Sequence, residues 1–267
     1  MKAVILARGR GTRMRRADDR AVVSAAQAAM ADAGLKALIP FGRPFLDYVL
    51  SALADAGCRD ICLVVGPDDE AIRSHYAQAR LERVTVTFAV QQEARGTADA
   101  VLAAEAFAGG DPFLVLNADN LYPVDAFRAL VALDGPGLPA FRRSTLVRES
   151  NIDADRVRAF AIVSVAPDGT VRDIVEKPDA ATTAAMGDDF YVSMNCWRFD
   201  RAIFGACRAI EPSPRGEVEL PNAVRHAVTV MGQRFVAVPI EAGVLDLSRR
   251  SDIAEVGRRL AGVEARP

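Results

Sequence analysis

A three-layer α/β sandwich around a mostly parallel sheet is the fold this chain predicts. Short apolar runs alternate with helix-period segments through the first half, and the first run passes straight into a glycine-rich loop. At 267 residues, 51% of them hydrophobic, the chain can build one large core. Strands that alternate with helices pair in parallel through right-handed crossovers, and the helices then cover both faces.

In order, Lys2–Ala7 reads as a buried strand that runs into Gly9-Arg10-Gly11-Thr12. The Ala-rich stretch 17–35 reads as an inserted helical segment. Pro44–Ala56 reads as a helix: proline suits its first turn, Phe45, Leu46, Val49, Leu50 and Leu53 form one stripe, and Gly57 suits its end. Ile61–Gly66, Val84–Val90 and Phe113–Asn117 are short strands, separated by helices near Asp69–Ala79, Thr97–Phe107 and Val124–Leu133. The second half differs. Ala159–Val165 and Thr170–Glu176 flank Ala166-Pro167-Asp168-Gly169, a hairpin turn in which glycine supplies positive φ. Tyr191–Phe199 reads as a strand, and Glu219–Val230 and Asp252–Leu260 as helices. Asp252 and Glu255 have capping-box spacing. We expect a single domain over 1–267, with halves at about 1–135 and 136–267.

Composition excludes several function classes. A formal net charge of −2 argues against non-specific nucleic-acid binding. No apolar run reaches the roughly 18 residues of a membrane span, and Arg8 interrupts the N-terminal run too early for a signal peptide, so a cytoplasmic protein without membrane contact is expected. Cys58, Cys62, Cys196 and Cys207 contain no C-x-x-C pair and read as buried reduced thiols. With only His75 and His226, no H-E-x-x-H exists; no lysine follows a glycine, so there is no Walker A loop.

A strand that ends in a glycine loop is where an open α/β sheet binds ligands. Gly9 and Gly11 let backbone N–H groups approach an anion, and Arg10, Arg13, Arg15 and Arg16 add charge suited to several phosphates. Met14 occupies the third glycine position of the dinucleotide fingerprint, and a plain tight turn would also explain G-x-G. Asp119 follows the apolar run Phe113–Leu116, which places a carboxylate at a strand's carboxyl end. Only three of the 33 basic residues are lysine: Lys2, Lys36 and Lys177.

Several segments, in order, carry a family resemblance. Met1–Arg16 ("MKAVILARGRGTRMRR") resembles the opening L-A-x-G-x-G-T-R-M of the sugar-1-phosphate nucleotidyltransferases. Lys36–Ile61 is similar to the family's lysine segment and second helix, Gln91–Val101 ("QQEARGTADAV") to its base-reading segment, and Leu114–Asn120 ("LVLNADN") to its metal-binding strand end. Glu176-Lys177-Pro178 matches E-K-P, Gly216–Val224 ("GEVELPNAV") matches G-E-x-E-L-T-D-A-I, and Val244–Ile253 the late aspartate segment.

The resemblance implies a Rossmann-like sheet of the nucleotide-diphospho-sugar transferase type, a β-rich sugar-binding sub-lobe, and a short form without the C-terminal β-helix of some relatives. It implies that a sugar 1-phosphate attacks the α-phosphate of a nucleoside triphosphate and expels pyrophosphate, with Mg²⁺ as cofactor. Arg13 and Lys36 would then be catalytic. Leu6, Ala7, Gly9, Gly11, Thr12, Gln91, Gly96 and Thr97 would bind nucleotide, Asn120, Glu176, Lys177 and Asn195 the sugar phosphate, and Asp119 and Asp246 the metal. Two of the three lysines fall where the family places lysines that touch phosphate, and a compact ammonium is not replaceable there by a planar guanidinium.

This chain departs from the pattern at Arg8, where a small residue is usual; at Asn195, where glycine is common; in the insertion; and at Asp246-Leu247-Ser248-Arg249, which replaces D-x-G-T. Trp197 reads as core. Two other readings remain: a nucleotide-sugar glycosyltransferase using Asp153-Ala154-Asp155 as D-x-D, and a non-catalytic nucleotide-sugar-binding relative. Neither base, sugar nor oligomeric state is set by the sequence, and a homo-oligomer is compatible with it.

Overall fold

In the computed structural model, which describes residues 1–9, 11–18, 21–158, 160–187 and 189–267, the first apolar run forms β1 (Lys2–Leu6). Ala3, Val4 and Ile5 are fully buried, as a strand covered on both faces requires. Arg10, and Ala159 at the expected start of a strand, lie outside the described residues. After the glycine loop comes α1 (Ala25–Ala33), started by a reciprocal capping box between Ser24 and Gln27 and stopped by Gly34 in the left-handed conformation. A 3₁₀ turn, Lys36–Leu38, leads to the small hairpin β2 (Pro40–Phe41) and β3 (Arg43–Pro44).

α2 (Phe45–Asp55) buries the expected stripe, and β4 (Asp60–Val65), α3 (Glu70–Gln78) and β5 (Thr85–Val90) follow. The expected helix Thr97–Phe107 is two pieces, α4 (Thr97–Ala103) and α5 (Glu105–Ala108), joined at Ala104. Then come β6 (Phe113–Asn117), the short β7 (Asn120–Leu121) and α6 (Val124–Val131).

The second half adds β8 (Gly137–Arg142), α7 (Arg143–Glu149), α8 (Ala154–Val157), β9 (Ala161–Val165), β10 (Val171–Val175) and α9 (Ala180–Ala185). The expected strand Tyr191–Phe199 is broken into β11 (Tyr191–Ser193) and β12 (Trp197–Phe199). The break sits at Asn195, whose φ of 55° turns the chain between two sets of partners: β11 pairs β8 and β9, while β12 pairs β6 and β8. The chain ends with α10 (Ala202–Ala209), α11 (Leu220–Thr229), β13 (Val236–Ile240), β14 (Leu245–Asp246) and α12 (Asp252–Leu260).

One ten-stranded sheet runs β10-β9-β11-β8-β12-β6-β1-β4-β5, with β13 parallel to β8. The four strands β5, β4, β1 and β6 are mutually parallel, so their carboxyl ends share one edge. Beyond β6 the pairings of β12, β8, β11, β9 and β10 are antiparallel. One apolar cluster packs α2 and α6 against one face, and another packs α4, α10 and α11, with Trp197, against the other. The four cysteines are free and buried; desolvation raises Cys58 and Cys62 to about 11.

A buried ion-pair triad fixes the late segment. Arg156 Nη2 lies 2.9 Å from Asp246 Oδ1 and its Nη1 2.7 Å from Asp252 Oδ1, with all three side chains 10% exposed or less. Asp252 Oδ2 also accepts from the N–H groups of Ser248 and Arg249, so its carboxylate is spent on the preceding turn rather than on a capping box; Glu255 pairs with Arg258 and Arg259 instead. Removing one partner of a buried pair leaves an uncompensated charge. Arg156→Ala should therefore lose about 3–5 kcal/mol of unfolding free energy in urea titration.

Candidate functional site

The shared edge carries the glycine loop with Lys36 and Asp119. β1 stops at Leu6, whose carbonyl accepts from Ala118 N–H while Ala7 N–H donates to Val64, so both flanking strands hold the start of the loop. Gly9 then lies against Lys36: a Cβ there would stand 3.8 Å from its Nζ. Gly11 needs its φ of 60°, and a Cβ would stand 2.5 Å from the carbonyl oxygen of Gly34. The loop thus rests on the end of α1. Arg15 reinforces this by donating to the Ala33 carbonyl, and Arg250 by binding both the Met14 carbonyl and Asp32. Thr12 and Arg13 stay exposed, and Arg13 forms no ion pair among the described residues.

Lys36 forms a direct ion pair with Asp119. The pairing of β7 with β14 sets Asn120 opposite Asp246, and Leu247 N–H donates to the Asp119 carbonyl at 2.8 Å. The two carboxylates are therefore neighbours. Burial, and next the charge of Asp119, push the Asp246 carboxyl up, while Arg156 opposes them. Among the described residues no cluster of three or more metal-type ligands exists. Two hard carboxylates that repel each other nevertheless fit Mg²⁺, which takes one or two carboxylates and completes its shell with phosphates and water.

A second cluster holds Lys177 between Glu176 at 3.5 Å and Glu219 at 3.4 Å. Arg215, which the sequence reading passed over, also binds Glu219 directly. Its signal was a cation just before the matched G-E-V-E-L segment. Burial chiefly holds the Glu176 carboxyl above its ordinary range, against the pull of Lys177.

Lys177 (φ 47°) and Asn195 (φ 55°) are the non-glycine residues with positive φ among those described. Side chains avoid that conformation unless surroundings enforce it, and such strain concentrates at functional sites. Among the described residues three buried amide atoms lack protein partners, and two of them belong to predicted site residues: Asn120 Nδ2, a donor, and Asn195 Oδ1, an acceptor. Tyr122 stands between their segments, its hydroxyl donating to the Met194 carbonyl at 2.6 Å with Asn120 Oδ1 3.4 Å away.

Gln91 is buried, and its Nε2 donates to the Gly96 carbonyl and to Asp99. Gly96 has φ 121°, and its missing Cβ makes room for the Val218 backbone, so that glycine is needed for packing whatever approaches the loop. Thr97 is likewise engaged: its Oγ1 accepts from Leu220 N–H, joining α4 to α11 and the Gln91 segment to the Glu219 cluster. Asp153 caps α8 by accepting from Arg156 N–H, and Asp155 is exposed beside Arg158. The D-x-D reading has no buried strand end to stand on. Two surface hollows of about 600 and 490 Å³ are lined by none of the predicted site residues, although the second runs along Leu121, Tyr122 and Leu245 beside Asn120 and Asp246.

Comparison with known proteins gives this edge its context. Over 97% of this chain and 96% of its own length, the UTP–glucose-1-phosphate uridylyltransferase AglF of Haloferax volcanii is 28% identical. A glucose-1-phosphate thymidylyltransferase of Streptomyces antibioticus is 30% identical over 97% of this chain, which spans 65% of that relative's length. A solved UDP-glucose pyrophosphorylase complexed with UDP-glucose superposes with a TM-score of 0.74 over 98% of this chain and 99% of its own, at 17% identity, and so shares the fold. No helix among the described residues is long and apolar enough to cross a membrane. Since the nucleotidyl transferase family model matches residues 2–256 and takes in the glycine loop, both lysine clusters and both aspartates, the chain belongs to that family.

Proposed function

We propose that this family member transfers a nucleotidyl group from a nucleoside triphosphate to a sugar 1-phosphate, forming a nucleotide sugar and releasing pyrophosphate. The observation that carries the reading is the Lys36–Asp119 pair at the mouth of the glycine loop, with Asp246 alongside. Relatives named for glucose 1-phosphate with UTP or with a thymidylyl donor support it, and we take a uracil or thymine nucleotide and a hexose 1-phosphate as the substrate classes.

The chemistry joins two anions, so the protein's contribution is charge neutralisation and in-line positioning. Backbone N–H groups of Gly9, Gly11 and Thr12 cradle the triphosphate. Arg13, exposed and without an ion pair among the described residues, neutralises the departing pyrophosphate. Lys36 releases Asp119 when phosphate oxygens compete for its ammonium. Asp119 and Asp246 would hold Mg²⁺, which when bound supplies charge neutralisation at the reacting phosphate. Lys177 and Arg215 receive the sugar phosphate, and the donor of Asn120, the acceptor of Asn195 and the carboxylate of Glu176 meet sugar hydroxyls, which both donate and accept. Asp119 and Lys36 satisfy each other in the free protein, which keeps the edge organised until substrate arrives.

Purified protein with Mg²⁺ should release pyrophosphate only when both a nucleoside triphosphate and a sugar 1-phosphate are present; silence across a broad panel would end the proposal. Lys36→Arg should leave the melting temperature within a few degrees of the parent and lower kcat by about 10²-fold or more, because a guanidinium cannot take the place of the compact ammonium. Glu176→Gln tests the cost of burying that carboxylate. Because its folded pKa is raised, stability falls as pH rises from the unfolded value through the folded one, and glutamine escapes this loss. The melting temperature of Glu176→Gln relative to the parent should therefore rise between pH 4 and pH 7 while sugar-phosphate turnover falls.

A further inference from the structure

We infer that Arg8 reads the nucleobase, donating a guanidinium hydrogen bond to the O4 carbonyl oxygen of the ring and so favouring uracil or thymine over cytosine. The inference rests on the nucleotidyl-transfer reading and assigns a specificity role to a residue at which the chain departs from its family's loop pattern.

The position is set by the sheet. Arg8 leaves β1 two residues past its end, at the edge where β4 ends in Val65 and β5 in Val90. Its Nη2 donates to the carbonyl of Gln92 at 3.1 Å, which swings the guanidinium across to the residue next to Gln91. Its stem lies along Gly66: a Cβ there would stand 2.9 Å from Arg8 Nε and 3.3 Å from its Cγ. Gly66 is held in turn, its N–H donating to Asp69 and its carbonyl accepting from Arg73 Nη1 at 2.8 Å. The arm is therefore seated on a braced turn rather than waving in solvent.

Its polar end is incomplete. Nη1 of Arg8 is shielded from solvent and has no partner among the described residues. An unmatched buried donor is costly, more so when charged, and a ligand acceptor at that place would recover the cost. Phosphate oxygens have other cations on the loop side, whereas Arg8 points toward the β5 end, where Gln91 stands. Gln91 is fixed as an acceptor. Both partners of its Nε2, the Gly96 carbonyl and the Asp99 carboxylate, can only accept, so the amide orientation is forced and Oε1 is left to receive a hydrogen. A donor that cannot accept beside an acceptor that cannot donate matches the imide edge of uracil and thymine, where a carbonyl oxygen adjoins a ring N–H. Cytosine turns an amino group toward the position of that oxygen, donor against donor. A site built to hydrogen-bond a group rejects the analogue that lacks it far more strongly than an apolar pocket does.

The test measures calorimetric binding of UTP, dTTP and CTP to the full chain, with pyrophosphate release measured alongside using a sugar 1-phosphate. Three variants are compared: Arg8→Met, Arg8→Lys and Gly66→Ala, the last pushing the arm aside without removing it. Arg8→Met should lower the ratio of UTP to CTP affinity about tenfold or more. Arg8→Lys should restore part of it, and Gly66→Ala should shift it the same way by less. An unchanged ratio overturns the inference, and so does an equal loss for all three nucleotides, which would mark a phosphate or structural role. Arg8-dependent discrimination in binding without pyrophosphate release from any sugar phosphate would uphold Arg8 while sinking the transferase reading.

Discussion

Two carboxylates forced against each other set the terms for the whole edge. The β7–β14 ladder sets Asn120 opposite Asp246, and Leu247 N–H is bonded to the Asp119 carbonyl, so Asp119 and Asp246 are neighbours, and each is matched by one cation from far along the chain. Lys36 serves the first and Arg156 the second, and the two differ in kind. Arg156 is buried, forked between two aspartates and built into the scaffold. Lys36 is held by one contact at the foot of a glycine loop. Repulsion between the acids is thus balanced on one side permanently and on the other by a group able to move to a stronger anion.

The same division of labour runs through the composition. Of 33 basic residues only three are lysine, and arginine does the structural tying: Arg142 bridges Asp189 and Glu241, Arg198 donates to the carbonyls of Leu130 and Val131, and Arg259 to those of Glu149 and Ser150. A planar fork satisfies several acceptors at once, which suits loops that must be pinned. Lysine is kept for one place in each of the two charged clusters, at Lys36 and Lys177, and one at the start of β1, where Lys2 meets Asp111.

The parallel half was legible because its signals are local. Buried strands such as Phe113–Asn117 are continuous apolar runs, and α2 shows its stripe within three turns. The other half hides its strands: β8 contains Gly137 and Pro139, β13 contains Pro239, and neither stands out as a strand although they pair side by side. The single strand expected over Tyr191–Phe199 failed at Asn195 because apolar pattern says nothing about which neighbours a strand must change between. The candidate site followed the same rule. Lys36, Asp119 and Lys177 stand in recognisable segments, whereas Arg156 meets its partners across 90 and 96 residues, with no periodicity to announce it. Gly96 and Thr97 were legible as positions, but the structure gives them packing duties toward Val218 and Leu220.

The seat of Gly11 on Gly34 has a consequence for protein engineering. The end of α1 is the floor on which the glycine loop is moulded, latched by Arg15 and Arg250. A chimaera that cuts away α1 would carry a loop shaped for support that no longer exists. Transplanting the glycine loop into or out of this chain therefore has to move loop, α1 and the Arg250 turn before α12 together, as one cassette.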